Sequence, residues 1–148
     1  MSSATEATYA GDVTPAECWS VIGSDAPAHL VDVRTTAEWA YVGSPDIRAA
    51  GKEAIRLEWQ VFPAMNVDAD FAAKLAGKLN AAGAPKDAPL YFICRSGVRS
   101  KAAATAMTAA GYSRCYNVVG GFEGPPDSDG HRGRVSGWKA EGLAWTQS

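Results

Sequence analysis

The sequence predicts an α/β domain built on a mostly parallel sheet. Two observations carry this. Short apolar runs alternate with helical segments, which is the signature of repeated β-α-β units. The chain has 148 residues, of which 47% are hydrophobic and 20% charged. That is one domain's worth of chain, apolar enough to bury a real core and too apolar to stay unfolded.

Each element has a local reason. Thr14-Pro15-Ala16-Glu17 opens a first helix: Thr14 caps it, Pro15 suits the first turn and Glu17 completes a capping box. Cys18, Val21 and Ile22 share one face, and Gly23 is a stop. His29 to Val33 reads as a buried strand. Thr35-Thr36-Ala37-Glu38 is a second capping box, opening a short helix with Trp39 and Val42, and Gly43-Ser44-Pro45-Asp46 breaks it. Glu53 to Glu58 alternates apolar and polar, as a strand does.

Asn66 is positioned to cap the next helix, in which Val67, Phe71, Leu75 and Leu79 form one apolar stripe, with Gly83 and Pro85 ending it. Leu90-Tyr91-Phe92-Ile93 is a fully apolar strand. An Ala-rich helix from Val98 to Ala110 follows, with Ala103, Ala106, Met107 and Ala110 on its inner face and Gly111 as its stop. Cys115 to Val119 is the last strand. Residues 120–137 form a long Gly-, Pro-, Asp- and Ser-rich loop, and a short helix is expected around Trp138 to Gly142. The domain is expected to span residues 8–148, with a flexible tail at 1–7.

Composition narrows the function classes. Fourteen basic against sixteen acidic residues give a net charge of −2, which argues against nucleic acid as a partner. No apolar run approaches the roughly 20 residues that cross a bilayer, and the first residues carry no secretory pattern, so no membrane is expected. Three cysteines, Cys18, Cys94 and Cys115, are too few for a disulfide framework, and a reducing, cytoplasmic setting is expected. His and Cys residues lack metal-ligand spacing, so no metal is expected.

The informative stretch is Cys94-Arg95-Ser96-Gly97-Val98-Arg99-Ser100. An apolar strand runs into Cys94 and a helix begins just after it. The cysteine therefore stands at the carboxyl end of a parallel strand, where open α/β sheets bind ligands. The backbone N–H groups of Arg95 to Ser100 can converge near the sulfur, with the positive end of the helix behind them. Arg95 and Arg99 add charge at the rim. Such a cradle favours a thiolate and a small anion, which points to a nucleophilic cysteine acting on sulfur or phosphorus.

This loop resembles the active loop of rhodanese-like sulfurtransferases. Leu30-Val31-Asp32-Val33-Arg34 followed by Glu38-Trp39 is similar to that family's first signature. Gly120-Gly121-Phe122-Glu123 and Gly137-Trp138-Lys139-Ala140-Glu141-Gly142-Leu143 are similar to its C-terminal one, so the match covers most of residues 12–145. The resemblance implies a rhodanese-like domain: a five-stranded parallel central sheet with helices on both faces. It implies that Cys94 takes a sulfur from a small anionic donor such as thiosulfate, holds it as a covalent persulfide, and passes it to cyanide, a thiol or an acceptor protein. Arg95, Ser96, Gly97, Val98, Arg99 and Ser100 would bind the donor, Asp32 and Arg34 would be structural near the site, and no cofactor is implied.

Two departures stand out. The place of the family's Gly-His-Ile-Pro-Gly-Ala reads Gly43-Ser44-Pro45-Asp46-Ile47, and the loop from Gly124 to Ser136 separates two segments that are usually closer. His131 and Arg132 lie in that loop. Two alternatives are weighed. A cysteine phosphatase or arsenate reductase needs five residues between Cys and Arg; here four separate Cys94 from Arg99, and the arginine's place falls on Ser100. A non-catalytic binding module would not require an intact cysteine loop. Cys18 and Cys115 read as core residues, with a resolving role for Cys115 held open. Trp59 and Phe62 are candidates for the pocket mouth.

Overall fold

A computed structural model describes residues 8–25, 27–61, 64 and 66–147. The expected tail at 1–7 and the pocket-mouth candidate Phe62 lie outside the described residues. The central sheet has five parallel strands: β1 (Gly11–Val13), β2 (His29–Asp32), β4 (Ile55–Arg56), β7 (Leu90–Ile93) and β8 (Cys115–Val118), in the order β1-β8-β7-β2-β4. Shorter antiparallel pairs join β3 (Ser44–Pro45) to β9 (Trp145–Thr146) and β5 (Gln60–Val61) to β6 (Asn66–Val67).

Both capping boxes are formed. Thr14 caps α1 (Pro15–Ser24) and Thr35 caps α2 (Thr36–Tyr41), each with its glutamate reaching back to the cap. The period of two along β7 sorts its side chains. Leu90 and Phe92 face a layer with Phe71, Leu75 and Leu79 of α3 (Phe71–Ala81) and Ala103, Ala104 and Met107 of α4 (Val98–Ala109). Tyr91 and Ile93 face the other layer, with Cys18 and Ile22 of α1, Phe122 and Trp138. The alternation continues one step past the strand and points Cys94 toward the α4 side.

Several elements differ from the sequence reading. β1 was not anticipated; three residues with Gly at the front carry too little pattern. The third helix begins at Phe71, not at Asn66, because Asn66 and Val67 pair with Val61 and Gln60 and leave Val67 exposed. The fourfold spacing of Val67 with Phe71 is coincidental. The paired part of the 53–58 strand is Ile55–Arg56. α4 turns Ser100, Ala103, Ala104 and Met107 inward, while Ala110 is exposed. Residues 138–142 make a tight turn closed by Glu141 N–H to the Gly137 carbonyl at 3.0 Å, since four residues between glycines do not repay helix nucleation. Ser44 and Pro45 do not merely break α2; they pair with β9.

Asp32 and Arg34 alternate onto the Phe122 side. Arg34 clamps Asp32 through Nε and Nη2, at 3.0 and 2.8 Å, and both side chains are fully buried. Nη2 also donates to the Gly43 carbonyl at 2.8 Å, and the guanidinium lies 4.4 Å over the Phe122 ring. The pair thus ties β2, the end of α2 and the segment after β8 together. Removing one member of a buried pair strands the other charge. Arg34→Ala is expected to cost roughly 3–5 kcal/mol, read as a lower urea midpoint; a loss near zero would refute this structural role.

Candidate active site

The sheet order reverses between β7 and β2, so a crevice opens at their carboxyl ends. Cys94 follows β7 on one side of it, and Arg34 and α2 follow β2 on the other. Gly97 begins α4 with φ +114°, a conformation that side chains rarely adopt. The turn it permits brings the Gly97 N–H to 3.1 Å from Cys94 Sγ, at the N-terminus of a twelve-residue helix. Ser100 Oγ lies 3.2 Å from the same sulfur. Cys94 is 1% exposed and Ser100 fully buried, whereas the side chains of Arg95 and Val98 are exposed.

The loop is held from outside by the segment after β8. Phe122 N–H donates to the Cys94 carbonyl at 2.8 Å, and Glu123 and Gly124 N–H donate to the Arg95 carbonyl at 3.0 and 3.1 Å. A Cβ on Gly121 would lie 2.7 Å from the Arg95 carbonyl carbon, too close for any side chain. In turn, Trp138 N–H donates to Gly121 and Lys139 N–H to Phe122, at 2.8 and 3.1 Å. The two C-terminal segments, separated in sequence by the long loop, therefore run side by side. The extra residues are looped outward and closed on themselves: Asp127 Oδ1 accepts from the N–H groups of Asp129 and His131, both at 2.9 Å.

Above the cysteine loop lies an open cavity of about 430 Å³, lined by Glu38, Gln60, Arg95, Arg99, Glu123 and Arg132. Arg132 turns into this mouth, anchored by a 2.6 Å bond from Nη1 to the Gly124 carbonyl; His131, its neighbour, is exposed. Arg99 does not stand alone. Its guanidinium grips Glu38 of α2 by two parallel bonds of 2.7 and 3.0 Å, spanning the crevice. The sequence reading missed this partner; Glu38 was assigned to the cap of α2, where its Oε1 also serves. A second cavity of about 370 Å³ beside β3 has its cations engaged: Arg48 by Asp46, Lys52 by three backbone carbonyls, Arg56 by Ser44.

The other thiols are unsuited to attack. Burial pushes the Cys18 thiol up to about 12 and the Cys115 thiol up to about 11. Cys115 pairs with Leu90, four residues before Cys94, which sets the two cysteines roughly 13 Å apart along the sheet. That is beyond disulfide reach, so a resolving role for Cys115 is excluded in this fold.

Burial raises the Glu38 carboxyl, but the Arg99 fork and the Thr35 donors outweigh it and leave it below the ordinary carboxylate range. A depressed carboxylate stabilises the fold above its unfolded value and loses that contribution as pH falls through its folded one. The urea midpoint of wild type is thus expected to exceed that of Glu38→Gln at about pH 6, with the gap closing below about pH 4.5. A gap independent of pH would count against the ion pair. In a second test of the site, Gly121→Ala is expected to lower stability and to slow alkylation of Cys94 together, because the displaced backbone is the cysteine loop's own support.

Comparison with known proteins agrees with this geometry. The family model for the STR4 middle domain matches residues 11–148. The crystal structure of Rv0390 from M. tuberculosis is 42% identical, with a TM-score of 0.85, and the match covers 95% of this chain and 100% of that one. The chain is 27% identical over 129 residues to the chloroplastic rhodanese-like domain-containing protein 4 of Arabidopsis thaliana, covering 87% of this chain and 24% of that protein. It is 28% identical over 113 residues to the thiosulfate sulfurtransferase GlpE of Haemophilus influenzae, covering 76% and 85%. With its parallel five-stranded sheet and its cysteine loop at the crest of the central strand, the chain belongs to the rhodanese-like family, in the group of the STR4 middle domain, and is a sulfurtransferase-type domain.

Proposed function

We propose that the protein moves a sulfane sulfur from thiosulfate, or a persulfide donor, to a thiophilic acceptor through a persulfide on Cys94. The observation that carries this reading is the 3.1 Å contact from the Gly97 N–H to Cys94 Sγ at the start of α4. The sulfur there faces a backbone donor at the N-terminus of a helix, a setting that suits small anionic groups. Support for a small anionic donor comes from three arginines, Arg95, Arg99 and Arg132, around the mouth.

In the first half-reaction, the Cys94 thiolate attacks the outer sulfur of thiosulfate. The S–S bond of the donor breaks, sulfite leaves with the bonding pair, and Cys94 carries a persulfide anion. In the second, an acceptor takes the outer sulfur and the thiolate returns. Cyanide would serve in vitro, giving thiocyanate, and a thiol or an acceptor protein in the cell. The backbone of Arg95 to Ser100 would hold the outer sulfur and donor, with Arg95 and Arg132 binding its oxygens. Arg99, with its fork on Glu38, would contribute its remaining N–H groups and its field. The route runs through a covalent intermediate and calls on no metal or organic cofactor. Membrane and nucleic acid have no part in this reading, and a reducing cytoplasm suits three free thiols. Against a phosphatase speaks Ser100, which occupies the position where a phosphate-gripping arginine would be needed.

The decisive assay measures thiocyanate from thiosulfate and cyanide, together with the intact mass after thiosulfate alone. Wild type is expected to turn over and to gain the mass of one sulfur atom. Cys94→Ser should lose both, with turnover down by roughly 10³-fold or more. A wild type that neither turns over nor gains sulfur would favour the binding-module alternative. Arg95→Ala is expected to raise KM for thiosulfate about tenfold through loss of a charged contact, with little change in kcat.

A further inference from the structure

The Cys94 sulfur has a second neighbour whose behaviour is set from outside the loop. Ser100 Oγ lies 3.2 Å from Sγ and 2.6 Å from Asn117 Oδ1. A hydroxyl has one proton, so it donates to only one of these. Asn117 decides which. Its Nδ2 donates to Asp12 Oδ1 at 3.2 Å, and a carboxylate only accepts. The amide cannot turn without setting its oxygen against that carboxylate. Asn117 Oδ1 therefore faces Ser100 and takes its proton, leaving a lone pair of Ser100 Oγ facing Cys94.

The fold places this chain of contacts deliberately. Asp12 of β1, Asn117 of β8 and Phe92 of β7 stand opposite one another in one row of the sheet, and Cys94 is two residues beyond Phe92 on the same face. Ser100 and Asn117 are buried, whereas Asp12 is exposed on the edge strand and also accepts from the Tyr9 hydroxyl at 2.8 Å. Other charges near this row are Arg99 on α4, which is held by Glu38, and Lys101, whose ammonium sits 5.8 Å over the Tyr9 ring.

We propose that Asn117, locked by Asp12, is a positioning residue that turns the Ser100 hydroxyl away from Cys94, so that negative charge is disfavoured on Sγ but not on a sulfur bound beyond it. The inference rests on Cys94 being the reacting group. Its chemical effect is directional. A protonated Cys94 would donate its S–H to the Ser100 lone pair across the 3.2 Å contact, whereas a thiolate would face that lone pair directly. In the loading step, the thiolate and thiosulfate dianion give the persulfide anion and sulfite, so the negative charge moves from Sγ to the outer sulfur. Sγ is then uncharged and the Ser100 lone pair no longer opposes it. The lock thus tilts the balance from free thiolate toward loaded enzyme.

The test follows alkylation of Cys94 by iodoacetamide against pH, read by peptide mass, in wild type, Asp12→Ala, Ser100→Ala and the double variant. Asp12→Ala frees the amide to flip and the hydroxyl to donate to the thiolate. The pH midpoint of alkylation is expected to fall by about one unit, the scale of one hydrogen bond to a charged group. In the Ser100→Ala background, the Asp12 substitution is expected to move the midpoint by less than half as much. No fall in Asp12→Ala overturns the proposal. So does an equal fall in both backgrounds, which is what mere removal of a remote negative charge would give. Asp12 is exposed, so its variant tests the lock without emptying the core. Alkylation needs no sulfur donor: a coupled shift in a protein that makes no thiocyanate would keep this inference and refute the proposed function, and active protein without the shift would do the reverse.

Discussion

The site depends on one close approach between two stretches of backbone. Gly121 lies against Cys94 and Arg95 with no space for a side chain, and the N–H groups of residues 122–124 take the carbonyls of the cysteine loop. A turn has N–H groups and carbonyls to satisfy in opposite directions. With the Cys94 and Arg95 carbonyls engaged behind it, the loop turns the Gly97 N–H to the sulfur. The conformation of the loop is therefore a consequence of what is packed behind it as much as of its own sequence.

Charge around the mouth is balanced rather than simply positive. Glu38 answers Arg99 and spans the crevice between the two halves of the sheet, so this arginine is both a structural brace and a source of field. Arg95 is exposed and Arg132 arrives from the long loop. A mouth with three arginines and two glutamates has a modest excess of positive charge.

The cysteine loop was more legible in the sequence than the architecture around it. Both capping boxes, the apolar β7 and the Cys94 loop follow from local rules that tertiary contacts reinforce. The family's five-stranded sheet is present, yet its edge strand β1 is three residues long and was invisible to pattern. The β3–β9 and β5–β6 pairs are two residues each, below any periodicity. Glu38 was read correctly as a capping residue, but a side chain with four lone-pair positions serves two partners, and its second, Arg99, lies 61 residues away. The same holds for Asn117 and Asp12, which only the register of the sheet brings into one row.

The long loop departs from the family's spacing, yet the glycine-rich segments on either side of it lie in backbone contact: a Cβ on Gly120 would meet the Gly137 nitrogen at 3.0 Å. The insertion leaves and rejoins the domain at nearly one point. Gly124 N–H still holds the Arg95 carbonyl and Gly133 N–H the Glu123 carbonyl, so the insertion stays tied to the backbone behind Cys94, while Arg132 gives it one hand on the mouth. Substitutions around Arg132 would change the lining of the mouth, while those at the loop's hydrogen-bonded ends would reach the backbone behind Cys94. One insertion thus joins the rim of the mouth to the support of the loop beneath it.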